Sequence, residues 1–246
     1  MKILAAQINP IVGDLAGNTH QVLSVLERAS TSGVDLVVFS ELTLCGYPPE
    51  DLLLRKEFLQ GMDVHLQRVI HASKGLVVVI GAVRQNIKGK GLPLFNSAAI
   101  IEDGSLLGFQ DKCLLPNYNV FNERRYFEPG GSITPWEVCG KKVGVLVCED
   151  IWFHAGFKYS ADYERDPVLE LEAHGIDLLL NLSASPYFFQ KPEVRLAICS
   201  KAAQSLKCPV VMCCQVGANT ELIFDGYSFA VDKKGEIKTL ALGFKE

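Results

Sequence analysis

Two patterns of apolar residues alternate along this chain. Short, nearly unbroken runs at 2–8, 34–39, 76–83, 141–147, 176–182 and 209–213 predict strands. Longer stretches at 18–30, 58–73, 167–174 and 193–206 predict helices. Leu23, Val25, Leu26 and Ala29 give the first helix an apolar face, and Asn18 or Thr19 stands where its cap belongs. Two hairpins complete the pattern. One pairs 96–101 with 106–109 across Glu102-Asp103-Gly104-Ser105. The other pairs 226–231 with 236–242 across Asp232-Lys233-Lys234-Gly235.

Strands that are apolar throughout need cover on both faces. Ten or more strands and four or five helices, with hairpins among them, predict two mixed sheets stacked between helical layers. Gly33-Val34-Asp35-Leu36 and Gly175-Ile176-Asp177-Leu178 are near copies of one helix-to-strand joint, which predicts two similarly built halves. No linker or low-complexity tract divides the 246 residues, so one domain is expected.

Composition narrows the function. Net charge is −4, without a Lys/Arg-rich run, which argues against nucleic acid as partner. No apolar run approaches the ~18 residues of a membrane helix. The opening residues are broken by Gln7 and Asn9, too soon for a secretory leader. The eight cysteines then suit a reduced, cytoplasmic protein, with Cys139, Cys199, Cys208, Cys213 and Cys214 expected as free buried thiols. There is no Cys-x-x-Cys pair and no histidine at a usual ligand spacing, so no metal is expected.

The chemistry concentrates at three run ends. Cys148 follows Gly144-Val145-Leu146-Val147 and precedes Glu149 and Asp150. Glu41 follows Leu36-Val37-Val38-Phe39-Ser40, and Lys112 follows the second strand of the first hairpin. Ends of strands are where open α/β sheets place their sites. A thiol attacks an amide only as thiolate, and so needs a base and a place for the oxyanion. None of the five histidines has a suggestive setting; Glu41 could serve as base if burial raises its pKa, and Lys112 could hold the thiolate and the oxyanion. Taken singly, each residue has a commoner fate: a core thiol, a surface ion pair, a solvated charge. Their joint occurrence suggests an amide-cleaving site.

Phe39-Ser40-Glu41-Leu42-x-Leu44-x-Gly46-Tyr47, Lys112-x-x-Leu115-Pro116 and Cys148-Glu149-Asp150-Ile151-Trp152 resemble, in the same order, the motifs of the nitrilase (carbon–nitrogen hydrolase) superfamily. Tyr47-Pro48-Pro49-Glu50-Asp51-Leu52-Leu53, Leu115-Pro116-Asn117-Tyr118, Asn181-x-Ser183-Ala184-Ser185-Pro186 and Glu221-Leu222-Ile223-Phe224-Asp225-Gly226 resemble its glutaminase branch, the glutamine-hydrolysing domains of NAD synthetases. The resemblance implies a four-layer αββα sandwich. It implies Glu41 as general base, Cys148 as nucleophile, and Lys112 with the backbone N–H of Glu149 as oxyanion donors. Glu123 would orient the lysine. Tyr118, Phe121, Glu123, Glu149, Trp152, Ser185 and Lys191 would shape the glutamine pocket, the carboxylates meeting the substrate ammonium and Lys191 its carboxylate.

A synthetase domain that uses ATP and Mg is a further implied partner. Its Ser-Gly-Gly-x-Asp-Ser type phosphate loop does not occur here, so this domain is expected to use no cofactor of its own. The chain ends soon after its last strand without a closing helix, which is expected of a domain lacking its C-terminal end. Gly217-Ala218-Asn219-Thr220-Glu221 departs from the family's usual Gly-Gly-Gln/Asn-Asp-Glu. The resemblance also implies homo-oligomers built by pairing sandwiches. Two other readings stand beside the glutaminase: an amidase of the same superfamily acting on another amide or nitrile, and a non-catalytic interaction or regulatory domain.

Overall fold

Gly33-Val34-Asp35-Leu36 and Gly175-Ile176-Asp177-Leu178 make the same joint twice. The computed structural model describes residues 1–87, 89–156 and 163–246. In it Asp35 accepts from the N–H of Lys2 at 2.6 Å, and the N–H of Asp35 reaches Lys2 O at 2.9 Å. Asp177 repeats both bonds with Lys142, at 2.9 and 2.8 Å. Each joint sets the register of a parallel strand pair.

The first half runs β1 (Ile3–Ala5), α1 (Leu15–Thr31), β2 (Leu36–Val38), α2 (Lys56–Ala72), β3 (Val77–Gln85), β4 (Leu94–Glu102), β5 (Ser105–Asp111). Its sheet has the order β1-β2-β3-β4-β5, with two parallel and then two antiparallel pairings. The second half runs β6 (Trp136–Val138), β7 (Lys141–Val147), α3 (Pro167–Glu172), β8 (Leu178–Ser183), α4 (Lys191–Leu206), β9 (Val210–Cys214). It continues through the hairpin β10 (Val216–Asn219) and β11 (Leu222–Asp225) to β12 (Phe229–Val231) and β13 (Ile237–Leu240). In its main sheet β7, β8 and β9 are parallel, and β12 and β13 follow antiparallel. The series β7-β8-β9-β12-β13 thus repeats β1-β2-β3-β4-β5.

Side-chain alternation assembles the layers. Leu36, Val38, Val77 and Val79 of the first sheet meet Val143, Val145, Leu178 and Leu180 of the second. Their neighbours Val37, Val78 and Ile80 face the other way, onto Val22, Leu26 and Val69 of α1 and α2. Leu179, Val210 and Met212 likewise face Leu171, Ile198 and Ala202 of α3 and α4. Covered on both faces, such strands read as continuous apolar runs. Each fully buried Val or Leu contributes roughly 1.5–3 kcal/mol of hydrophobic stabilisation. The result is the expected four-layer αββα sandwich.

Several local expectations are corrected. Helix α1 starts at Leu15, because the Asp14 side chain accepts from Gly17 N at 2.8 Å. Asn18 is instead buried, tying Ile11 N and Ile11 O at 2.7 and 2.8 Å. Strand β1 is shorter than 2–8, and Gln7 turns its amide to Leu242 O and Lys245 O. The strand β6 and the hairpin β10–β11 were not expected. All eight cysteines are free, but Cys139 is exposed, in the turn between β6 and β7 where its φ is +50°. No described helix is long and apolar enough to cross a membrane.

Candidate active site

Strand ends from both sheets meet here. Val147 pairs with Leu182 in parallel register, so Cys148 comes beside Ser183, the last residue of β8. Cys148 opens the short helical turn Cys148–Ile151 with φ +45°, in the left-handed region that strains a non-glycine residue. Glu41 lies in the turn after β2. That turn crosses so close to β3 that a Cβ at Gly81 would sit 2.2 Å from Leu42 N. Only glycine leaves room for it. Lys112 directly follows β5, its N–H held by Asn96 O at 2.8 Å.

The three predicted catalytic side chains are buried together, with Glu41, Lys112 and Cys148 at 0%, 1% and 6% exposure. Lys112 Nζ lies 2.7 Å from both Glu41 Oε1 and Glu123 Oε1. Asn96 Nδ2 also donates to Glu41 Oε1 at 2.7 Å, and the N–H of Ala184 donates to Oε2 at 3.0 Å. Tyr47 donates to Glu123 Oε1 at 2.8 Å. Two carboxylates thus share one ammonium.

Asp150, for which no role was read in the sequence, joins the lysine segment to the cysteine turn. Its Oδ1 accepts from Cys113 N and Leu114 N at 2.9 and 2.8 Å, and its Oδ2 from Val147 N at 3.0 Å. Asn96, Tyr47 and Tyr163 were also missed. Their signals are ordinary polar residues in strands and loops, and only the fold brings them to the site.

Cys148 opens onto a cavity of about 260 Å³. Tyr118, Phe121, Glu149, Trp152, Ser185 and Lys191 all line it. Tyr118 donates to both oxygens of Glu149 at 2.9 and 3.0 Å, and Tyr163 to Oε1 at 3.2 Å. Lys191 Nζ lies between two rings, 4.1 Å from the centroid of Trp152 and 4.5 Å from that of Phe188. Glu123 differs from its expected substrate-facing place. It lies behind Lys112 and lines a smaller neighbouring cavity with Tyr47 and Tyr126, because its carboxylate is taken up by Lys112 and Tyr47.

Burial pushes the Cys148 thiol well above its ordinary pKa, and Glu41 adds to this while Lys112 and the Ser183 hydroxyl oppose it. The resting sulfur is therefore a neutral thiol that needs a base. Burial works to lower Lys112, but Glu123 and Glu41 outweigh it and keep the ammonium well above its usual value. Burial pushes Glu123 up to about 7 against the pull of Lys112. Burial also raises Glu149, opposed by Lys112 and the two phenols. Lys191 is lowered by burial to about 8.

Fold and site define a class that the whole chain confirms. Residues 2–246 match the carbon-nitrogen hydrolase family, and the chain belongs to that family. It is 39% identical over 248 residues to the glutamine-dependent NAD(+) synthetase of Thermotoga maritima, covering 100% of this chain and 41% of that protein. A solved glutamine-dependent NAD+ synthetase from Acinetobacter baumannii, in complex with ADP, superposes with TM-score 0.86 at 37% identity, over 99% of this chain and 44% of that one. The Nesterenkonia AN1 amidase of the nitrilase superfamily shares the fold at TM-score 0.83 and 21% identity, over 100% of this chain and 87% of that one. The chain therefore spans less than half the length of the NAD synthetases it matches.

Proposed function

We propose that this chain hydrolyses L-glutamine to glutamate and ammonia through a γ-glutamyl thioester on Cys148. Glu41 takes the thiol proton as sulfur attacks the carboxamide carbon. Lys112 Nζ and the backbone N–H of Glu149 hold the oxyanion. The C–N bond breaks, and ammonia leaves with the proton that Glu41 returns. Water then attacks the thioester, giving up a proton to Glu41, and glutamate leaves as that proton returns to sulfur. Glu123 keeps Lys112 aimed at the site.

The observation that carries the substrate is the charge pair in the cavity. Glu149 presents a carboxylate to which two phenols already donate. Lys191 presents an ammonium held by rings and not by a carboxylate among the described residues. Glutamine carries the complementary ammonium and carboxylate, and a site built for them rejects apolar amides by leaving buried charges unpaired. Tyr118, Phe121, Trp152 and Ser185 complete the pocket.

The relatives' names support a destination for the ammonia: a synthetase domain that amidates nicotinic acid adenine dinucleotide to NAD. ATP and Mg belong to that step, and thioester chemistry by Glu41, Lys112 and Cys148 calls for no cofactor. A reduced cytoplasmic setting suits a free catalytic thiol, and the family's pairing of sandwiches would give a homo-oligomer. The test is release of glutamate and ammonia from L-glutamine, beside Cys148→Ala. Release abolished by the substitution supports the reading, and equal release by both proteins removes it.

A further inference from the structure

The geometry points to Ser183 as a catalytic residue, a hydroxyl that donates directly to the reacting sulfur. The inference rests on the reading of Cys148 as nucleophile and adds a group to it. Ser183 is fully buried at the end of β8, and its Oγ lies 3.5 Å from Cys148 Sγ, a hydrogen-bonding distance for sulfur.

The hydroxyl stands between two thiols, since it also hydrogen-bonds the sulfur of Cys214. Its partner across the strand pair is Cys214 of β9. Cys214 is itself approached by the guanidinium of Arg195, whose Nη1 lies 3.8 Å from its sulfur. Arg195 is buried and paired with Asp225. On the other side, Asn181 Nδ2 holds Cys148 O at 3.4 Å and Ala184 N holds Glu41 Oε2 at 3.0 Å. The end of β8 thus fixes the nucleophile's backbone, the nucleophile's sulfur and the base in one rigid frame.

The chemical need is specific. Cys148 is 6% exposed, so water contributes little to a charged sulfur. When Glu41 removes the thiol proton it becomes neutral, and negative charge develops on Sγ with the Glu149 carboxylate nearby. Lys112 meets part of it but must also hold the oxyanion. The Ser183 hydroxyl supplies a second donor to this sulfur, drawn from Cys214 to the developing thiolate because a charged acceptor holds a proton more strongly than a neutral thiol. It acts twice without changing any bond of its own, when the thiolate forms for attack and when it is expelled from the tetrahedral intermediate of thioester hydrolysis. A hydrogen bond to a charged group in a buried site is strong enough to matter at both steps.

The experiment compares wild type, Ser183→Ala, Ser183→Gly and Ser183→Thr at one neutral pH. Iodoacetamide labelling of Cys148, followed by peptide mass spectrometry, reads the sulfur's reactivity per folded molecule. Ammonia release from L-glutamine reads turnover. Removal of the hydroxyl in whichever of the Ala and Gly variants folds is expected to slow labelling and kcat roughly ten- to a hundredfold with KM unchanged. Thr, which keeps the hydroxyl, is expected to restore both to within a few-fold. Labelling as fast without the hydroxyl as with it overturns the role of Ser183. Slow labelling in the Ala or Gly variant, beside a wild type that labels but ignores glutamine, supports Ser183 and removes glutamine alone. A wild-type Cys148 that never labels overturns both readings.

Discussion

The ammonium of Lys112 sits 2.7 Å from Glu41 Oε1 and the same distance from Glu123 Oε1, with all three residues buried. Such a triad costs desolvation, so its burial is weak evidence of a stabilising role. In the proposed reaction Glu41 takes the thiol proton, while Glu123 holds the cation at 2.7 Å. Glu41→Gln is expected to keep the fold, since Glu123 still pairs Lys112, and to lower kcat by about 10²–10⁴. Steady-state ammonia release and a thermal melt check both halves of this expectation.

Removal of the cation has a pH signature. Lys112→Met leaves Glu41 and Glu123 facing each other, and breaking a buried pair this way costs roughly 3–5 kcal/mol. Glu123 is already pushed up to about 7. A carboxyl raised above its unfolded value contributes stability below the unfolded pKa and loses it as pH rises through the folded one. The variant should therefore lose least near pH 5, where the carboxyls hold protons, and most above pH about 7. Urea unfolding at those two conditions measures the difference, and an equal loss at both would count against the shared-cation picture.

Lys191 predicts an alkaline limb. Burial lowers its pKa to about 8, so the free site loses its ammonium as pH rises through that value. If the ammonium holds the glutamine carboxylate, kcat/KM falls across the same range. Lys191→Met should lower kcat/KM roughly ten- to a hundredfold, mainly through KM, and flatten the limb. A limb that persists unchanged in the variant assigns it to another group.

Asp150 predicts a defect in kcat rather than KM. Asp150→Asn places an amide N–H₂ where one of the three backbone N–H groups now donates. Loss of a charge-assisted bond is worth about 1.5–3 kcal/mol. The variant is expected to melt earlier and to turn over at least about tenfold more slowly, with the substrate pocket and hence KM little changed. Kinetics with L-glutamine on the folded fraction separate these effects.

The legible parts of this molecule are those encoded locally. Strand β7 runs from Lys141 to Val147, the bounds read from its apolar run. The Gly33 and Gly175 joints announced a repeat that the two sheets carry out strand for strand. Glu41, Lys112 and Cys148 each stood at the end of such a run, and the fold buries all three. What was not legible depends on long-range partners. Asp150 acts on N–H groups 36 and 37 positions away in sequence, and no local pattern marks that. Asn18 has a cap's chemistry but spends it on Ile11, because Asp14 caps first. Hairpin β10–β11 was hidden by Gly217 and by short strands of mixed burial. Glu123 was read as supporting the lysine, and its Oε1 is shared by Lys112 and by Tyr47, 76 positions earlier, a partner no local pattern marks.

The central claim is that Cys148 carries the glutamyl group. Incubation with L-glutamine, rapid acid quench and mass analysis of the Cys148 peptide tests it most directly. The account predicts a glutamyl adduct on that peptide which is absent from Cys148→Ala and which forms more slowly in Glu41→Gln. Ammonia released at the wild-type rate by Cys148→Ala, with no adduct on Cys148, would contradict it.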